Sequence, residues 1–63
     1  MYREEKVRIV NALLDYVPED RLSKWLKKPN RNWGGITPNS MIHNGNTGPI
    51  WILIGELRDG YTF

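Results

Sequence analysis

The chain contains no cysteine and a single histidine, His43. No disulfide can reinforce it, no thiolate can hold a metal, and no cysteine nucleophile is available. A His/Cys metal cage is equally excluded. Long apolar stretches are missing too. The longest run, from Ile50 to Ile54, has five residues, against the roughly 20 that cross a bilayer. Met1 is followed by Tyr2-Arg3-Glu4-Glu5-Lys6, charged where the apolar part of a secretory leader would begin. The expectation is a soluble, cytoplasmic protein with no membrane segment. Charge of one sign is scarce: nine basic residues face seven acidic ones, for a net +2. That balance does not by itself point to nucleic acid.

What remains is 63 residues, enough for one small domain. Apolar residues make up 40% of them, including three Trp, three Tyr and one Phe, so a core can form but a thin one. Domains of this size often draw extra stability from a partner chain or from self-association. The Ile50 to Ile54 run carries more apolar faces than a small monomer can easily bury, so a homodimer is an expectation.

Four prolines, Pro18, Pro29, Pro38 and Pro49, punctuate the chain between or at the start of apolar segments. Residues 1–17 read as an N-terminal helix. Val7, Val10, Leu14 and Val17 fall at helical spacing, widened by Ile9 and Leu13. Glu4 and Glu5 suit the positive end of its dipole, and Pro18 ends it. A second helix runs to Lys28, with Glu19 and Asp20 at its start and Leu22, Trp25 and Leu26 on one face. Residues 29–35 read as a loop whose Gly34-Gly35 pair permits positive φ. Thr37-Pro38 is a helix start, with Thr as N-cap and Pro at the first position. Met41 and Ile42 are its buried residues, and Asn44-Gly45-Asn46 its stop. A fourth helix starts near Pro49, uses Ile50, Leu53, Ile54 and Leu57, and stops at Gly60. A buried strand is the alternative for so short an apolar run. The fold class is therefore all-α: a small compact bundle of about four short helices.

The order Trp25-Leu26, Pro29-Asn30, Trp33-Gly34-Gly35, Thr37-Pro38 and Gly45, followed by an apolar helix, Gly60 and a short tail, resembles the toxin-binding domain of the Xre/MbcA/ParS antitoxin family. The similarity covers residues 22–63, about two thirds of the chain. It implies a module that neutralises a RES-domain toxin, an enzyme that consumes NAD or transfers ADP-ribose from it, by occluding the toxin's active site. By position, that role falls on the last helix and on Arg58, Asp59, Gly60, Tyr61, Thr62 and Phe63. Trp33 either covers the thin core or joins them on the partner-binding surface. Family members usually carry an N-terminal helix-turn-helix. Residues 1–17 offer one helix only, so operator binding is not carried over. Gly55 interrupts a helix at a cost of about 1 kcal/mol relative to Ala, which suggests close packing against a partner.

Two rival readings stand beside this one. The first is an inhibitor encoded by a phage or other mobile element, aimed at a host defence protein and sharing the fold. The second is a nucleic-acid binder using Lys24, Lys27, Lys28 and Arg31 with Trp25 and Trp33 interleaved. A solvated helix end complementing the dipole explains the same cations. No enzymatic activity and no cofactor are expected. His43 has no orienting partner near it in sequence. Glu4/Glu5 and Glu19/Asp20 are adjacent residues that do not face one another on a helix. Gly34-Gly35 lacks phosphate-loop spacing.

Overall fold

The computed structural model describes residues 2–61, with only the backbone of Tyr2 included. Four helices follow one another in order: α1 (Tyr2–Leu14), α2 (Glu19–Lys27), α3 (Pro38–His43) and α4 (Gly48–Arg58). A 3-10 turn, Arg31–Trp33, lies between α2 and α3. The fold is all-α, as the spacing predicts, and the ambiguous apolar run is a helix rather than a strand.

Local chemistry accounts for most of the boundaries. At α3, Thr37 Oγ1 accepts from the Ser40 backbone N–H at 3.1 Å, and Pro38 occupies the first turn, where a backbone donor would go unused. The helix closes on a Schellman turn. Gly45 adopts φ 76°, its N–H donates to Ile42 O at 3.1 Å, and Asn46 N–H donates to Met41 O at 2.8 Å. The loop before α3 is tighter than a plain loop. Asn30 Oδ1 accepts from Asn32 N–H at 2.9 Å and opens the 3-10 turn. Gly34 and Gly35, at φ 67° and 81°, then fold the chain back so that Asn30 and Ile36 form an isolated antiparallel bridge.

The core consists of Ile9, Leu13, Val17, Leu22, Leu26, Met41, Ile42, Ile50 and Leu57. Val10, Trp25, Trp33, Leu53 and Ile54 pack against it while half-buried. The first helix departs from its sequence reading in two ways. It ends at Leu14, three residues before Val17, and the chain reaches Val17 through a turn. Its buried stripe is Ile9 and Leu13, each fully buried, whereas Val7 is 55% and Leu14 40% exposed. Both stripes have helical spacing. The one chosen is the one that meets the other helices, because α1 packs against α2, α3 and α4 in turn.

Besides α1, α2 and α3 pack on each other. Among the described residues, α4 has α1 as its one substantial helix neighbour. That contact carries a polar tie. Thr47 Oγ1 donates to Glu5 Oε2 at 2.6 Å, and Trp51 Nε1 donates to the same oxygen at 3.0 Å. Thr47 is the N-cap of α4 but makes no side-chain cap bond, since its hydroxyl is directed to Glu5. The carboxylate instead brings negative charge to the positive end of α4. Glu5 thus does more than open α1.

Two outcomes follow for stability. Leu13→Ala costs about 2–5 kcal/mol, against a total of roughly 3–9 kcal/mol expected for a domain of this length. Val7→Ala stays within about 0.5 kcal/mol. Thermal melts followed by circular dichroism check both, and equal effects would show that the buried stripe is misassigned. The second outcome concerns pH. The hydrogen bond from Thr47, then that from Trp51, hold the Glu5 carboxyl below its ordinary value of 4.5. A lowered folded-state pKa means stability present above the unfolded value and lost as pH falls through the folded one. Glu5→Gln should therefore melt earlier than the parent at pH 7, with the gap closing in acid below the ordinary carboxyl range. A gap that is constant from pH 7 to pH 3 contradicts the tie.

Candidate protein-docking surface

The end of α4 is shaped by a second Schellman turn. Gly60 adopts φ 109°, its N–H donates to Leu57 O at 3.2 Å, and Tyr61 N–H donates to Glu56 O at 2.9 Å. A side chain at Gly60 would strain that conformation. The turn reverses the chain, so Tyr61 returns alongside the helix instead of extending beyond it. Its ring remains 56% exposed.

Tyr61 thereby reaches a groove of about 480 Å³. One wall comes from α4 and its flanks: Pro49, Ile52, Leu53, Glu56 and Tyr61. The other comes from the end of α2 and the 3-10 turn: Trp25, Asn30, Asn32 and Trp33. The two indoles meet edge to face, with centroids 5.8 Å apart and planes 75° apart, and form a corner. Asn30 and Asn32 are fixed there by the bond that opens the 3-10 turn. Ile52 is the most exposed large apolar side chain of the described residues, at 67%.

Trp33 and Tyr61, both expected at a partner surface, are brought together in this groove. Trp33 also packs on the core while half-buried, the first of the two placements expected of it. Gly60 lines a smaller cleft of about 290 Å³ with Tyr16, Val17, Pro18, Arg21, Leu57 and Tyr61. Arg58 is not brought into the groove. It lies two residues beyond Glu56, roughly 200° around the helix, and is exposed. Asp59 is the C-cap, its N–H donating to Gly55 O and Glu56 O at 3.1 Å each. Thr62 and Phe63 lie outside the described residues.

The basic cluster is divided. Lys28 and Arg31 share a cleft of about 400 Å³ with Trp25, Pro29 and Asn30. Lys24 and Lys27 are exposed on α2 and do not line it. Gly55 sits half-buried in the interior of α4, yet a Cβ built on it would meet nothing within 4 Å. Its smallness therefore serves no packing inside the described chain. Trp51 and Ile52 are exposed, so the apolar run is only partly covered, by Ile50 inside and by Leu53 and Ile54 at half burial.

Sequence reasoning missed Ile52 and Glu56 as groove residues and Asn30 and Asn32 as its polar floor. A signal existed for the first two. Ile52 and Glu56 are four apart on α4 and share a face turned away from Ile50 and Leu57. Among the described residues, no group of three or more His, Cys, Asp or Glu could hold a metal ion. No helix among them is long and apolar enough to cross a membrane. No family model matches the chain, and neither a curated protein nor a solved structure does.

Proposed function

We infer that the chain is a protein-binding module of the antitoxin kind, which neutralises a RES-type toxin by covering its active site with α4 and the residues after it. The reading combines the resemblance over residues 22–63 with one structural observation. The Schellman turn at Gly60 and the Trp25/Trp33 corner turn the end of α4 into one wall of an apolar groove, with Ile52 outward and Tyr61 beside it. Aromatic rings supply contact area at low entropic cost, and arginine can fork to carboxylates. Arg58, on the far flank of α4, would then meet a part of the toxin outside the groove.

Exposed positions separate folding from docking. Ile52→Asp should leave the helical signal and the melting temperature close to the parent values. It should weaken the complex with the cognate toxin by at least about tenfold, the loss expected at the centre of an interface. Removing residues 61–63 should likewise reduce protection of cells from the toxin. Protection undiminished in both variants defeats the docking surface as drawn.

A nucleic-acid reading is favoured by one observation, the cleft that places Lys28 and Arg31 beside Trp25. It requires binding of a single-stranded oligonucleotide at low salt that falls steeply as salt rises. Lys28→Glu with Arg31→Glu should abolish any such binding. No mobility shift of single-stranded RNA or DNA at 50 mM salt, taken as a low-salt condition, removes this reading.

A further inference from the structure

Of the six asparagines, Asn44 alone is followed by glycine. That pair forms the corner between α3 and α4, and both residues are exposed. Glycine has no Cβ to keep its backbone nitrogen away from the preceding side chain, so an Asn-Gly pair closes readily into a succinimide. The corner holds the reacting atoms apart. Asn44 is the C-cap of α3, with ψ 2°. At that angle the Gly45 nitrogen nearly eclipses the backbone nitrogen of Asn44, whereas a five-membered ring needs it to eclipse Cβ. Three backbone bonds fix the corner: Asn44 N–H to Ser40 O at 2.9 Å, Gly45 N–H to Ile42 O at 3.1 Å, and Asn46 N–H to Met41 O at 2.8 Å. Met41 and Ile42 are buried, so two of the acceptors belong to residues anchored in the core.

We propose that Asn44 is a site of spontaneous deamidation gated by this turn, and that its conversion releases the mount of α4. When the turn opens, the Gly45 nitrogen gives its proton to water and attacks the carbonyl carbon of the Asn44 side chain. A C–N bond forms there, the bond to the side-chain nitrogen breaks, and ammonia leaves with a proton taken back from water. Water then opens the ring at either carbonyl, giving aspartate or isoaspartate with no change of oxidation state. Either product puts a negative charge at the C-terminal end of α3, where the helix dipole disfavours it. Isoaspartate also adds a methylene to the main chain before Gly45, so the bonds to Ile42 and Met41 cannot both be remade. Thr47 follows directly after Asn46, and its Oγ1 donates to Glu5 at 2.6 Å. Loss of the corner thus reaches the tie that holds α4, and the change runs one way. The turn after α4 repeats the arrangement with Asp59-Gly60 and ψ 3°, but a carboxylate is a poorer acyl donor and closes more slowly. Neither Asn44 nor Gly45 lines the groove, so the site stands apart from the docking reading.

The test ages the full chain in mildly alkaline buffer, folded and in concentrated urea, beside a peptide of residues 41–47. Mass spectrometry of fragments locates the loss of ammonia. Asn44 should convert ahead of the other asparagines. In the folded chain it should do so roughly tenfold to a hundredfold more slowly than in urea or in the peptide, because the rate follows the open fraction of the turn. The converted chain, separated by its added negative charge, should melt below the parent. Its Trp51 indole N–H resonance should leave the position it holds while bonded to Glu5. Asn44→Gln keeps an amide but would have to close a larger ring, and should show neither change after the same ageing. Equal rates in the folded and unfolded chain overturn the gate. Conversion led by another asparagine, or none at Asn44 after roughly a hundred peptide half-times, overturns the site. A converted chain that keeps the parent's melting temperature and Trp51 resonance overturns the effect on α4.

Discussion

One carboxylate, held by two donors from a distant part of the chain, secures the helix on which the surface depends. Glu5 on α1 takes both the Thr47 hydroxyl and the Trp51 indole N–H, at the start of α4. The bond to Thr47 uses the hydroxyl that would otherwise cap α4, so the helix begins without a side-chain cap and with the Glu5 carboxylate beside its positive end. Core packing adds Ile50 and Leu57 to the same attachment. Because α1 is the substantial helix neighbour of α4, these contacts restrain it from one side. The opposite flank is left as a groove wall. The open seam toward Trp25 and Trp33 is thus a consequence of how α4 is mounted.

The size of the chain explains why that seam stays open. A domain this short buries only about 60% of the surface its unfolded chain exposes. Among the described residues, its buried core is made of aliphatic side chains and Met41. The indoles of Trp25 and Trp33 are too large to enter so thin an interior, and settle half-buried at its margin with part of their surface outward. Two rings at the edge of a core, meeting edge to face, make an apolar corner.

Features set by local chemistry were legible in the sequence. Thr37-Pro38 starts α3, Asn44-Gly45 and Gly60 end α3 and α4, and the glycine pair at 34 and 35 takes positive φ, because each outcome depends on a few adjacent residues. The face of α1 was legible only in outline. Val7 and Leu14 share a broad apolar stripe with Ile9, Val10 and Leu13, and tertiary contact leaves the first two exposed. The Glu5 tie was hidden for a related reason, since its donors lie 42 and 46 residues away and no local pattern marks them. Of the candidate site, Trp33 and Tyr61 stood out as aromatic residues beside glycines. Their meeting did not, because it requires the reversal at Gly60 and the placement of α4 by α1.

The buried residues and the groove residues therefore occupy different angular sectors of one helix. Ile50 and Leu57 face inward, Ile52 and Glu56 face the groove, and Leu53 spans the two at half burial. Substitution at 52 or 56 alters the groove while leaving the buried set untouched, whereas substitution at 50 or 57 removes the packing that holds the helix. Gly55 is half-buried, yet a side chain there would meet open space. It weakens the helix by about 1 kcal/mol relative to Ala and contributes nothing to the fold in return. The missing side chain leaves the surface of α4 low beside the exposed Ile52, at a position where no described residue packs.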